Sequence, residues 1–388
     1  MTTDITALAD TLQAKGHLPN DWDEAFRSVL RERFIPDRIW VDEHDDGHDV
    51  ALDRASEPQR WRAAVYSNRV IVTQFDDGDT VWPDVGYRPT SSCSMPSAVL
   101  GMLDALDVRA GMRVLEIGTG TGYNAALLAA RLGDEQVATV EVDPVLAEQA
   151  RSSLIAIGCT STVVCGDGAA GWRVGAPFDR VIVTAAVKLG RVPYSWVKQT
   201  TPGGVILTPL KTDFTTGPLL AFVVGQDGTA TGRAVPLRVA FMEMRAQRTP
   251  VINWDGMRWD DPDADLSHTD VMPWTTLGNE APRWATAVAV PSCRYELWPR
   301  TPGRNPRHGV AWLGDPLSGS WASVIPAETD DRYEVRQSGP RRLWDEVEAA
   351  YSWWLDQGKP TLDQWRFTVS PDRQTATVAT IADHGALR

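Results

Sequence analysis

The amino-acid sequence predicts an α/β protein: a Rossmann-like parallel sheet with crossover helices, preceded by N-terminal helices and followed by an α+β domain. Three observations carry this. Short apolar runs alternate with helix-periodic stretches from Arg113 to Leu207. A glycine-rich turn joins the first of those runs to a helix. Beyond about residue 247 the alternation stops, and 11 of the 17 tryptophans lie past position 250.

A chain of 388 residues is comfortable for two domains, drawn here as 1–247 for the sheet core and 248–388 for the tryptophan-rich remainder. No stretch approaches the roughly 18–20 apolar residues that span a bilayer. The opening M-T-T-D-I-T-A-L-A-D lacks the basic and apolar regions of a signal peptide, so a cytoplasmic protein with no membrane partner is expected. Cys93, Cys159, Cys165 and Cys293 form neither a C-x-x-C pair nor zinc-like spacing, so reduced thiols and no metal site are expected. A formal net charge of −13 argues against a nucleic-acid partner.

Residues 5–35 carry Leu8, Leu12, Ala25, Phe26, Val29, Leu30 and Phe34 at helical spacings, broken near Pro19. The stretch Asp42–Asp49 (D-E-H-D-D-G-H-D) has two readings: a solvated acidic loop, favoured by Gly47, or a metal site using its two histidines. Val70–Val85 reads as extended and loop-like. A helix starts at Pro96, with Val99, Leu100, Leu103 and Leu106 on one face. Strands follow at Arg113–Ile117, Val137–Val142, Thr162–Cys165, Arg180–Val183 and Gly204–Leu207, with helices at Asn124–Leu132, Pro144–Ile157 and 192–199 between them. In the remainder, strands at Trp284–Val290 and Gln374–Ile381 flank a helix at Pro340–Gln357.

The sharpest local signal is V-L-E-I-G-T-G-T-G-Y-N, residues 114–124. Glycine lets the turn take positive φ and lets a ligand approach the backbone closely. Alone, the turn marks only a nucleotide fold. Glu116 stands just before it, where a carboxylate accepts from a cofactor amino group through water and repels a pyrophosphate. Glu141 ends the second strand, placed for ribose hydroxyls, and Asp167 in G-D-G ends the third, placed for an adenine amine. Three acids and no lysine in the turn suit a cationic sulfonium nucleoside, S-adenosyl-L-methionine, with S-adenosylhomocysteine as product. Gly118, Thr119, Gly120, Gly122, Val142 and Gly168 complete the expected cofactor seat.

V-L-E-I-G-T-G-T-G-Y-N-A-A, then G-D-G-A-A-G-W and A-P-F-D-R-V-I-V-T-A-A, strongly resemble the protein L-isoaspartate O-methyltransferase family. Ala176–Ala185 is much more specific than the glycine turn and adds Thr184 to the cofactor set. Arg31-Glu32-Arg33-Phe34-Ile35-Pro36 resembles the end of the family's leading helix, and Val239-Ala240-Phe241-Met242 its last core strand. Ser92-Cys93-Ser94-Met95-Pro96 resembles its T-I-S-Q-P segment, which puts Ser94 on the active-site serine. Here Met95 stands in place of glutamine and Ser92 in place of threonine, in the substrate-facing loop. The resemblance covers about residues 20–246. It implies a cofactor-dependent carboxyl O-methyltransferase.

An aspartate, with a pKa near 4, is already ionised at neutral pH, so methyl transfer to it needs alignment and no strong base. Ser94 has two compatible readings: a donor to the substrate, or an N-cap for the helix at Pro96. The tryptophan-rich tail, with R-L-W-D-E-V-E-A-A-Y-S-W-W and T-V-S-P-D, resembles actinobacterial methyltransferases that accompany ribosomally made modified peptides such as graspetides, lanthipeptides and lasso peptides. That likeness implies methylation of an aspartate in a modified precursor peptide, the ester collapsing to an aspartimide (succinimide). Alternatives are repair of isoaspartate in aged proteins, and methylation of a small-molecule acid. Within Arg294–His308, Arg300, Arg304 and Arg307 form either a solvated loop or a dock for an acidic precursor peptide. Most of the tail tryptophans are expected in a core, a few on a peptide-binding surface.

Overall fold

The computed structural model describes residues 4–43, 47–250, 252, 254, 261–298, 310–327 and 332–378. The N-terminal region forms α1 (Ile5–Ala14) and α2 (Asp23–Ser28), separated by a 3-10 turn after Pro19, and ends in a second 3-10 turn at Arg31–Arg33. Next come β1 (Arg38–Asp42), β2 (Asp49–Asp53), α3 (Pro58–Val65), β3 (Ile71–Phe75) and β4 (Pro89–Cys93). These strands make a small sheet in the order β2-β1-β3-β4. The acidic stretch is the β1–β2 connection, and its residues 44–46 lie outside the described residues.

The core then runs α4 (Pro96–Leu106), β5 (Val114–Ile117), α5 (Tyr123–Leu132), β6 (Val137–Glu141), α6 (Pro144–Ala156), β7 (Thr162–Cys165), β8 (Phe178–Val183), β9 (Val187–Lys188), α7 (Tyr194–Gln199) and β10 (Thr200–Lys211). Strands β7, β6, β5, β8 and β10 are parallel neighbours in that order, and β9 pairs with the end of β10. From β5 the chain winds outward to β7, then returns to β8 on the other side of β5. That reversal opens a crevice at the carboxyl ends of β5 and β8, where open α/β sheets bind ligands.

Alternation along the strands fills both faces. Val114, Ile182 and Leu207 face a cluster with α4, α5 and the N-terminal helices. Leu115, Val181 and Ile206 face a second cluster with α7 and the C-terminal region. Helix α6 starts cleanly because Pro144 sits in its first turn and Asp143 accepts from Val145 N and Leu146 N.

Antiparallel β11 (Thr216–Val224) and β12 (Ala230–Ala234) extend the sheet beyond β10. The remaining elements are β13 (Asp265–Thr269), α8 (Glu280–Ala289), β14 (Arg294–Trp298), β15 (Val310–Gly314), β16 (Trp321–Pro326), β17 (Tyr333–Ser338), α9 (Leu343–Asp356), β18 (Trp365–Val369) and β19 (Gln374–Val378). Strands β13–β17 build a separate antiparallel sheet, ordered β13-β17-β16-β15-β14.

Three expectations need correction. Trp284–Val290 is not a strand but the end of helix α8, where Trp284, Ala285 and Ala287 bury one side. Val239–Met242 is not a core strand. It is an irregular segment whose end bonds Ala186, between β8 and β9, through the Ala186–Glu243 bridge. The division after residue 247 is also incomplete: the β18–β19 hairpin returns to pair with β12, Ala230 opposite Val369, and so belongs to the main sheet. The second cluster is continuous from Leu115 to Trp344 and Trp365.

Trp284, Trp321, Trp344 and Trp365 are buried, whereas Trp274 and Trp353 are exposed. Among the described residues no helix is long and apolar enough to cross a membrane.

Candidate active site

A cavity of about 650 Å³ opens at the carboxyl ends of β5, β6, β7 and β8. It is lined by Ser92, Ser94, Met95, Glu116, Gly118, Thr119, Gly120, Glu141, Val142, Asp167, Gly168 and Thr184, the expected site residues from five separate stretches of chain. Gly122 is the exception. It sits at the start of α5 with φ +87°, and a Cβ there would meet Ala150 of α6, so it serves helix packing. Arg300, Arg304 and Arg307 lie outside the described residues.

The turn after β5 is held from two sides. Gly118 has φ +97°, which a side chain disfavours, and a Cβ on it would lie 2.8 Å from Thr184 Oγ1. Thr184 Oγ1 donates to Gly118 O at 2.5 Å, pinning the turn to β8. Glu141 Oε2 accepts from Gly120 N at 2.8 Å, tying it to β6, and Oε1 accepts from Asp143 N at 3.0 Å.

Glu116 does not reach out as its place in the sequence suggests. It is wholly buried, and both oxygens are engaged: Oε1 accepts from Asn124 Nδ2 at 2.6 Å, Oε2 from Thr139 Oγ1 at 2.7 Å. Thr139 Oγ1 in turn lies 2.6 Å from Thr119 Oγ1. Asn124 thereby presents its Oδ1, which is buried and has no hydrogen-bond partner. A buried acceptor left unpaired costs free energy until a donor arrives. This is the observation that fits a cofactor bearing an ammonium group. Glu141 and Asp167 provide further acceptors, and no lysine lines the cavity. The lining therefore suits S-adenosylmethionine, with Asn124, Glu141 and Asp167 the residues that would hold it. When bound, it supplies a methyl group on a sulfonium centre and leaves as S-adenosylhomocysteine.

Burial pushes Glu116 up to about 7, partly offset by its bonds from Thr139 and Asn124 and reinforced by Glu141. Its folded-state value thus lies above the unfolded value of 4.5. The folded protein holds this proton more tightly, so the contribution to stability is full below about pH 4.5 and is lost as pH rises through about 7. Without cofactor, stability should fall across that window by on the order of 3 kcal/mol. Glu116→Gln should remove this fall, because an amide can donate to Thr139 while Thr139 donates to Thr119. Urea titrations of both proteins between about pH 4 and about pH 8 check this. Parallel profiles would contradict it.

Ser94 lies on the cavity lip, and its carbonyl accepts from Arg31 Nη2 at 2.9 Å. Its hydroxyl has no hydrogen bond to the described residues. The capping alternative is not what the structure has: Met95 occupies the N-cap of α4 without a side-chain bond, and Asn68 Oδ1 instead accepts from Ser97 N at 2.9 Å. The irregular segment 238–248 forms the opposite wall. There Arg238 pairs with Glu280, and Arg245 bridges Asp77 at 3.0 Å and Asp143 at 3.2 Å. Asn124, Thr139, Asn68 and Arg31 were not singled out by sequence reasoning. Asn124 had a signal in its place just after the glycine turn, and Arg31 in opening the R-E-R-F-I-P segment.

A Rossmann-type sheet with an acid-lined nucleoside cavity at its switch point defines a class: S-adenosylmethionine-dependent methyltransferases. The family model for protein-L-isoaspartate(D-aspartate) O-methyltransferase matches residues 58–244. A protein-L-isoaspartate O-methyltransferase of Ignicoccus hospitalis is 40% identical over 153 residues, 39% of this chain and 71% of the relative. One of Anaeromyxobacter dehalogenans is 38% identical over 184 residues, 47% of this chain and 75% of the relative. A solved structure named protein-L-isoaspartate O-methyltransferase superposes with a TM-score of 0.54 at 20% identity, covering 97% of this chain and 99% of that one. The chain belongs to the protein-L-isoaspartate O-methyltransferase family. It is a carboxyl O-methyltransferase that uses S-adenosylmethionine.

Proposed function

We propose that the enzyme esterifies the free carboxylate of isoaspartyl residues in peptides or proteins. The observation that carries this is Ser94, a hydroxyl without a hydrogen-bond partner among the described residues on the lip of the cofactor cavity. Its O–H is available to a carboxylate oxygen. No histidine or lysine lines the cavity, and none is needed for an acceptor that is already ionised. The chain's residues align and desolvate the acceptor. The names of the relatives support isoaspartate as that acceptor. Esterification gives a methoxide leaving group, which the next backbone nitrogen displaces to form a succinimide.

A second reading rests on Met95 and Ser92. Both line the cavity, where the family resemblance has glutamine and threonine. A thioether in place of an amide removes a polar reader of the peptide backbone. This favours an ordinary aspartate in a constrained, ribosomally made peptide, with Arg300, Arg304 and Arg307 as its dock and an aspartimide as product. The tryptophan-rich extension does not favour it, since the solved structure with the isoaspartate name matches almost the whole length.

An isoaspartyl peptide and its aspartyl twin separate the readings. The first predicts a kcat/KM for the isoaspartyl form higher by about 100-fold or more, since misplacing the reacting oxygen by one methylene is that costly. Equal rates, or preference for the aspartyl form, would replace it with the second.

A further inference from the structure

Arg31 is wholly inside the protein, although nothing in the mechanism above uses it. A buried guanidinium is ordinarily paired with a carboxylate, because an isolated buried charge is costly. Among the described residues Arg31 has no such partner. Its Nη1 donates to Val65 O at 2.7 Å and Ser67 O at 3.2 Å. Its Nη2 donates to Arg69 O at 2.9 Å, Cys93 O at 3.2 Å and Ser94 O at 2.9 Å. Five carbonyl dipoles solvate the cation without cancelling its charge.

The positions of those carbonyls matter. Cys93 ends β4 and Ser94 opens the loop to α4, and both line the cavity. Val65 ends α3, and Ser67 and Arg69 belong to the turn after it, whose Asn68 caps α4. One side chain therefore fastens the acceptor loop to its support. Titratable groups near it include Tyr66, Tyr123 and Cys93, and Tyr66 in turn bonds Glu32. Glu32, the next residue, pairs with Arg62 instead.

We propose that Arg31 is a positioning residue for the acceptor. It holds the Cys93–Ser94 backbone on the cavity lip, and its uncancelled charge behind that lip favours a carboxylate there over a neutral group. The substrate carboxylate supplies the negative charge that the folded protein leaves out. This rests on the acceptor reading above only for the choice of peptide.

The test uses the full-length enzyme saturated with S-adenosylhomocysteine, and two peptides: an isoaspartyl peptide and the same peptide with that carboxylate amidated. The wild type should bind the carboxylate form more tightly. Arg31→Gln should cut that preference about tenfold, while Arg31→Lys keeps it within about twofold. Both variants should bind both peptides more weakly, because the loop is looser, and S-adenosylhomocysteine affinity should not change. A packing role alone predicts equal loss for both peptides in both variants, and that result would overturn the proposal. Should the glutamine variant not fold, Arg31→His replaces it. Its carboxylate preference should then fall as the imidazole loses its proton, and a preference that stays flat with pH would overturn the proposal. A wild type that methylates only the aspartyl twin sinks the isoaspartyl reading instead, and the aspartyl and asparaginyl pair then tests Arg31.

Discussion

Gly118→Val is expected to abolish methyl transfer and weaken S-adenosylhomocysteine binding by about 100-fold or more, equivalent to about 3 kcal/mol. Two costs combine. At φ +97° a β-branched residue is strained, by more than the 1–2 kcal/mol typical of a left-handed L-residue. Its Cβ would also lie 2.8 Å from Thr184 Oγ1, the group that pins the turn. The turn must therefore move away from β8, taking with it Gly120 and the bond to Glu141. Gly118→Ala shares the contact but not the β-branching, and should lose less. Calorimetric titration with S-adenosylhomocysteine reads both variants. A valine variant that binds like the wild type would show that this turn does not seat the cofactor.

Trp196→Ala should give the largest loss of stability. Trp196 has no exposed surface and packs among Phe178, Val181 and Val197 in the cluster beneath β8. Truncating such a side chain typically costs about 3–5 kcal/mol. Its Nε1 also donates to Gly168 O at 2.8 Å. Gly168 has little freedom of its own, since a Cβ there would lie 2.6 Å from Ile117 Cγ2. The indole thus sets the backbone that follows Asp167 against the floor of the cavity. Trp196→Phe separates the two roles. It keeps most of the packing and should lose about 1–2 kcal/mol, including the hydrogen bond. It should nevertheless weaken the cofactor, because Gly168 is released. Urea midpoints and S-adenosylhomocysteine affinity, measured on both variants, check this. A phenylalanine variant with full affinity would confine Trp196 to packing.

The core was legible from the sequence where local chemistry decides structure. Val114–Ile117 and Val137–Glu141 are short, mostly apolar runs that lead into a turn, and a parallel strand buried on both faces reads that way. Asp143 followed by Pro144 announces a helix start. Residues far apart in sequence were less legible. Trp284–Val290 alternates large and small residues like a strand, and its helical face shows only when it is taken together with Glu280–Arg283. The pairing of β18 with β12 joins residues more than a hundred positions apart, and nothing in either segment names the other.

In the site, Glu141, Asp167 and Ser94 fall on the cavity, while Glu116 acts through Asn124 and Thr139. The sequence places an acid before the turn, but not the two donors that claim it. Arg31 is the extreme case. Its solvation by carbonyls from two distant loops leaves no compositional trace.

The most direct test of the account is the chemical nature of the product. The enzyme is incubated with methyl-labelled S-adenosylmethionine and an isoaspartyl peptide, and the peptide is examined by mass spectrometry before and after mild alkali. The account predicts one added methyl group, placed by fragmentation on the isoaspartyl carboxylate and released as methanol by base. A label that resists alkali, or that sits on nitrogen, sulfur or a hydroxyl, would contradict it.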